Sequence, residues 1–148
     1  MIHCYCCLSQ FSTNINNKGE LMLFWNTQKT ILIIDDDRTL LRRVSFHLNK
    51  YKGIESIVFD NATEGLAAAT SLKPNLIILD WTLPDIEGID VLAKLKTAAE
   101  TKNIPVLMLT GHNKIGNIED AFEIGAEAYM VKPFELEKLA KKSLSLMK

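Results

Sequence analysis

Four aliphatic residues in succession, Leu76-Ile77-Ile78-Leu79, end abruptly on the carboxylate of Asp80, and Pro84 follows shortly after. An unbroken aliphatic run of this length reads as a strand buried on both faces, as in a parallel sheet. Pro84 forbids a simple continuation of that strand. In open α/β sheets, ligands bind beyond the carboxyl ends of central strands, so a carboxylate delivered there is a candidate functional group. The competing reading is that Asp80 only opens a turn.

The same arrangement repeats along the chain. Thr30 to Ile34 forms a short aliphatic strand followed by Asp35-Asp36-Asp37. A helix follows from about Arg38 to Asn49, with Leu41, Val44 and Leu48 on one apolar stripe and Asp37 as its N-cap. After Gly53, Ile54 to Phe59 is the second strand, and Asn61 caps an Ala-rich helix running to about Leu72. The strand ending at Asp80 is the third. A third helix runs from about Ile89 to Ala98, with Ile89, Leu92 and Leu95 on one side. Val106 to Leu109 is the fourth strand, ending at Thr110. A fourth helix from about Lys114 to Ile124 is expected to turn Ile118, Ala121 and Phe122 inward, with Gly116 weakening its first turn and Gly125 stopping it. Ala128 to Val131 is the fifth strand, ending at Lys132-Pro133. The last helix runs from about Glu135 to Met147, with Leu136, Leu139, Ala140 and Leu144 on one stripe. Five strands alternating with five helices predict a doubly wound parallel sheet with every strand's carboxyl end on one edge.

Residues 1–28 read differently. Ser12 to Gly19 is polar, with neither helical nor strand periodicity, and the segment is expected to be a flexible extension of a folded unit spanning 29–148. A natural start at Met22 is the alternative. Cys4, Cys6 and Cys7 crowd beside His3 too closely to enclose one metal ion without strain. Three cysteines and no secretory signal favour a reducing cytoplasm. The net charge of −1 across 148 residues argues against a broad nucleic-acid or anionic-membrane footprint. No apolar run approaches the roughly 18 residues of a transmembrane span. No second domain is expected to follow the last helix.

Asp35, Asp36, Asp80, Thr110 and Lys132 therefore face a common crevice. Clustered carboxylates repel unless a cation joins them, and hard oxygen ligands on an open edge suit Mg²⁺. A bound Mg²⁺ inverts the local electrostatics and favours an incoming phosphoryl group. Lys132 supplies a second positive charge, Thr110 a hydroxyl, and an ionised Asp is a phosphoryl nucleophile. Each residue alone has a plainer reading: capping for Asp35-Asp36-Asp37, a strand-end hydroxyl for Thr110, a solvated charge for Lys132, a packed aromatic for Tyr129. Their joint placement at successive strand ends is what points to phosphoryl transfer onto an aspartate.

Ile-Ile-Asp-Asp-Asp after the first strand, Leu-Asp-Trp-Thr-Leu-Pro-Asp-Ile-Glu-Gly after the third, Val-Leu-Met-Leu-Thr-Gly after the fourth and Tyr-Met-Val-Lys-Pro-Phe around the fifth together resemble the receiver domain of two-component response regulators. The resemblance covers about residues 29–148. It implies a flavodoxin-like sheet of order 2-1-3-4-5. It also implies that Asp80 is the phosphoacceptor, that Asp36 binds Mg²⁺ directly and Asp35 largely through water, and that the backbone carbonyl of Thr82 completes the protein's ligands. Lys132 would pair with the phosphoryl group, Thr110 would move to hydrogen-bond it, and Tyr129 would turn inward. The bond before Pro133 would be cis, Gly111 would leave the approach open, and Thr82 and His112 would modulate dephosphorylation. The implied partners are a sensor histidine kinase or histidine phosphotransferase and a protein target on the face of the fourth helix, fifth strand and fifth helix. The implied protein is a single-domain regulator without direct nucleic-acid contact.

Two other classes fit less well. Asp35-Asp36-Asp37-Arg38-Thr39 also matches the Asp-x-Asp-x-Thr signature of haloacid-dehalogenase-type phosphatases, with Asp35 as nucleophile and Asp37 as general acid/base. That reading lacks a later acidic pair and leaves Asp80 without a role. A receiver-like binding module that is never phosphorylated is disfavoured because the acceptor set is intact.

Overall fold

The aliphatic runs become the strands of one parallel sheet because each is long enough to cross it and apolar enough to be covered on both faces. The structure, a computed structural model, describes residues 11–15, 19, 21–25, 28–111 and 117–147. In chain order the elements are β1 (Phe11–Ile15), β2 (Leu21–Trp25), β3 (Lys29–Ile34), α1 (Arg38–Leu48), β4 (Ile54–Phe59) and α2 (Ala62–Leu72). They continue with β5 (Leu76–Asp80), α3 (Gly88–Thr97), β6 (Val106–Thr110), α4 (Ile118–Ile124), β7 (Ala128–Val131) and α5 (Leu136–Leu146).

The five-stranded sheet has the order β4-β3-β5-β6-β7, which is 2-1-3-4-5 counted from Lys29, and its neighbours pair in parallel. Alternate residues of each strand serve two different layers. Leu32, Ile34, Ile77, Leu79, Val106 and Met108 pack with residues of α2, α3 and α4. Ile31, Ile33, Leu76, Ile78, Leu107 and Leu109 pack with residues of α1 and α5. In β5 and β6 every residue is buried. Burying one such aliphatic side chain contributes about 1.5–3 kcal/mol, so these central strands supply much of the stabilisation.

Helix starts follow their caps. The Asp37 carboxylate accepts from the amides of Thr39 and Leu40, and Leu41, Val44 and Leu48 of α1 are buried as their spacing predicts. Asn61 accepts from the Glu64 amide at the start of α2. Gly125 ends α4 with φ 125°, a conformation that L side chains rarely adopt.

Two expectations need correction. Within residues 1–28, β1 and β2 pair antiparallel, Phe11 opposite Trp25 and Ile15 opposite Leu21. A two-stranded ladder there was hidden because β1 sets three polar residues in a row between Phe11 and Ile15 while β2 is apolar throughout, so neither alternates with a strand period. Phe122 does not face inward: it is 45% exposed, and the inward row of α4 is Ile118, Ala121 and Ile124, spaced by three. The described part of α4 is Ile118–Ile124. The residues expected to form its first turn, together with His112, Gly116 and the His3–Cys7 cluster, lie outside the described residues.

Candidate functional site

Register explains why two carboxylates meet. Ile33 pairs with Ile78 across β3 and β5. Two residues further along each strand the side chains return to the same face, which brings Asp35 beside Asp80. The Asp35 amide still donates to the Phe59 carbonyl at 3.1 Å, so the backbone is held in line beyond the end of β3. The Trp81 amide does the same with the Leu109 carbonyl at 2.9 Å. Asp35 is fully buried, Asp80 is 6% exposed, and Asp36 turns outward at the rim.

Lys132 arrives from the end of β7, where its amide donates to the Thr110 carbonyl at 2.7 Å and its bond to Pro133 is cis. Its Nζ lies 2.5 Å from Asp35 Oδ2 and 3.0 Å from Asp80 Oδ1. The other Asp35 oxygen accepts from the Asp37 amide at 2.9 Å. Burial disfavours the ammonium, but the hydrogen bond from Lys132 to Asp35 and the charges of both carboxylates outweigh it and raise the Lys132 pKa. Burial and the nearby Asp35 charge push the Asp80 carboxyl up to about 6, with Lys132 pulling the other way. One cation thus serves two buried carboxylates, and Asp80 carries the cost.

Asp35, Asp36 and Asp80 each present an oxygen within 4.8 Å of the others. Mg²⁺ binds oxygen at 2.0–2.1 Å in an octahedron and keeps several waters, so three carboxylates on an open rim fit it. The excess negative charge and the raised Asp80 pKa fit the same ion, since a second cation relieves both.

The remaining expected residues are placed as follows. Thr110 is fully buried, and its hydroxyl donates to the Gly111 carbonyl at 3.1 Å. Tyr129 is 39% exposed, its ring edge-to-face with Phe122 at 5.9 Å. Thr82 lies exposed in the loop after β5. Two residues of that loop went unrecognised in sequence. A Cβ on Gly88 would lie 2.1 Å from the Asp80 carbonyl, and the Gly88 amide donates to the Trp81 carbonyl at 2.7 Å. Asp85 accepts from the amides of Ala62 and Thr63 and from the Thr63 hydroxyl. The Thr63 hydroxyl and the Ala62 amide hold the Asp85 carboxyl well below the usual carboxylate range. Asp after Pro reads as turn chemistry in sequence, and nothing local names a partner more than twenty positions away.

A doubly wound sheet of order 2-1-3-4-5 with an acid–lysine cluster at its carboxyl edge defines a flavodoxin-like α/β domain. Residues 31–143 match the response regulator receiver domain, and the chain belongs to that family. It is 36% identical over 111 residues to the phosphate regulon transcriptional regulatory protein PhoB of Pseudomonas aeruginosa, covering 75% of this chain and 48% of that protein. It is 35% identical over 120 residues to the chemotaxis protein CheY-3 of Vibrio cholerae, covering 79% of this chain and 90% of that protein. The chain thus spans about half the length of the transcriptional regulators it matches and most of the chemotaxis protein. The CheY-like receiver domain protein of Methanospirillum hungatei superposes with a TM-score of 0.73 at 32% identity, covering 80% of this chain and 94% of that one. The receiver is a signalling domain. Among the described residues no helix is long and apolar enough to cross a membrane.

Proposed function

We propose that Asp80 accepts a phosphoryl group from a phosphohistidine of a sensor histidine kinase or histidine phosphotransferase in the cytoplasm. Asp35, Asp36, Asp80 and the backbone carbonyl of Thr82 would hold Mg²⁺, with Asp36 bound directly and Asp35 largely through water. The ion, when bound, would neutralise phosphoryl oxygens as charge develops. An Asp80 carboxylate oxygen attacks phosphorus, and the new P–O bond forms as the P–N bond to the donor imidazole breaks. The imidazole keeps the electron pair and takes up a proton. Lys132 then shifts from its carboxylate partners toward the phosphoryl oxygens, and the Thr110 hydroxyl exchanges its Gly111 carbonyl for the same group. The observation that carries this reading is the Lys132 ammonium bridging Asp35 and Asp80 at 2.5 and 3.0 Å on the sheet edge.

The added charge of about −1.5 to −2 would bias a two-state element made of α4, β7 and α5. Tyr129 would leave its exposed position on Phe122 and turn inward as Thr110 moves, changing the surface that a protein target reads. Inverting a 1:99 equilibrium needs about 5.5 kcal/mol of differential contact. The phosphatase alternative is weakened because Asp37, its general acid/base, is spent on the Thr39 and Leu40 amides of α1.

The test is incubation with acetyl phosphate and Mg²⁺, followed by intact mass analysis of the wild type, Asp80→Asn and Asp35→Asn. One phosphoryl group on the wild type and none on Asp80→Asn is expected. Phosphate retained by Asp80→Asn but lost from Asp35→Asn refutes the assignment, and turnover of a phosphate ester supports the phosphatase.

A further inference from the structure

Beside the β3–α1 and β5–α3 loops, the loop between β4 and α2 also reaches the carboxyl edge but contributes no residue to the acidic cluster. It is nevertheless bonded to both neighbours. On one side Arg38, which directly follows Asp35-Asp36-Asp37, meets Asp60 through Nε at 2.8 Å and Nη2 at 2.6 Å. Asn61 Nδ2 donates to the other Asp60 oxygen at 3.1 Å. On the other side, Asp85 Oδ1 accepts from the Ala62 amide at 2.9 Å, and Oδ2 accepts from the Thr63 amide at 2.8 Å and the Thr63 hydroxyl at 2.7 Å. Asn61 takes the Glu64 amide, so Asp85 completes the account of the first-turn donors of α2 from a different loop.

Asp85 belongs to the loop that carries Thr82. That loop is closed at its base by the Gly88 amide on the Trp81 carbonyl, and Leu83 anchors it in the core at 7% exposure. Thr82 is exposed between these anchors, and Asp85 adds a hydrogen-bonded tie to the start of α2. A bidentate carboxylate on two helix amides and a hydroxyl leaves little freedom for the segment Thr82–Asp85.

We infer that Asp85 is a positioning residue: it clamps the Thr82 loop to the start of α2, and Arg38–Asp60 ties the start of α1, just after the Asp35–Asp36 loop, to the residue that precedes the Asn61 cap of α2. The β4–α2 loop is therefore the brace that sets the spacing of the two ligand-bearing loops. This rests on the Mg²⁺ reading of the site given above. Outer partners that orient ligands typically change metal affinity 10–100-fold when removed.

The test is calorimetric titration of the full chain with Mg²⁺, alongside amide hydrogen exchange of Trp81–Gly88 in metal-free protein. Asp85→Ala is expected to weaken Mg²⁺ binding about tenfold and to speed exchange across the loop. Thr63→Val, which removes one of three bonds, is expected to lie between and guards against misfolding of the first variant. Thr101→Val deletes a buried hydroxyl bond to Leu95 far from the loops. It is expected to lower stability and leave Mg²⁺ affinity unchanged, which separates positioning from general destabilisation. Wild-type affinity retained within twofold in Asp85→Ala and Thr63→Val, or an equal loss in Thr101→Val, overturns the brace. No Mg²⁺ binding by the wild type overturns the metal reading itself, together with the brace built on it.

Discussion

Replacing Asp80 with Asn should make the metal-free protein more stable at neutral pH, although it deletes half of an ion pair. The Asp80 carboxyl is raised from 3.8 to about 6 by burial and by Asp35. At 1.36 kcal/mol per pH unit, that gap corresponds to about 3 kcal/mol of native-state cost once the group is ionised. The native protein holds the Asp80 proton to higher pH than the unfolded chain does. Between pH of about 4 and about 6 the native state therefore binds more protons, and this group lowers stability as pH rises. Above about 6 the penalty is complete and constant. Asn cannot ionise, so Asp80→Asn escapes the fall, and the two proteins should diverge across that window. Lys132 keeps Asp35 at 2.5 Å, so losing one of two partners offsets part of the gain, leaving about 1–3 kcal/mol at pH 7. For a chain of this size, 1 kcal/mol moves Tm by roughly 2–4 °C. Urea unfolding in chelator at pH steps from 4.5 to 7.5 measures the difference. Saturating Mg²⁺ should then narrow it, since a ligand at a hundred times its Kd adds about 2.7 kcal/mol to the protein that binds it. A difference that is flat with pH, or an Asp80→Asn protein less stable at pH 7, would show that Asp80 is not held against its own charge.

Lys132→Met leaves Asp35 and Asp80 buried without their cation and should cost about 3–5 kcal/mol at pH 7; the loss should shrink as pH falls below about 6, where the Asp80 carboxyl takes up its proton, as thermal melts will show. Gly88→Ala forces a Cβ to 2.1 Å from the Asp80 carbonyl and should destabilise the fold by more than about 3 kcal/mol, with the damage centred on the Trp81–Gly88 loop in amide exchange. Ser143→Ala removes a fully buried hydroxyl that has no hydrogen-bond partner among the described residues and should leave stability unchanged or raise it by about 1 kcal/mol in denaturant titration.

The strands and most helices were legible because each rests on a local cause: an unbroken aliphatic run, a three-four stripe, or a capping side chain one residue ahead of a helix. Ile54–Phe59 and Ala128–Val131 match those expectations residue for residue, and Asp37 and Asn61 cap as expected. Phe122 was misread because seven residues of α4 make too short a stripe to fix its phase from composition alone. The hairpin of Phe11–Ile15 and Leu21–Trp25 was missed because pairing between two strands of unlike pattern has no single-strand period.

For the site, the chain order alone placed Asp35, Asp36, Asp80, Thr110 and Lys132 at strand ends, since parallel right-handed crossovers send every strand's carboxyl end to one edge. What the linear order cannot contain is distance across that edge. Lys132 bridging two carboxylates, the Asp80 carboxyl pushed to about 6, and Asp85 bonded to a helix that starts 23 positions before it all depend on register and loop closure. Local propensity acts over a few residues and can be read from them. Electrostatic coupling and bracing act between residues that only the packed sheet brings within a few ångströms, so the tertiary structure alone decides them.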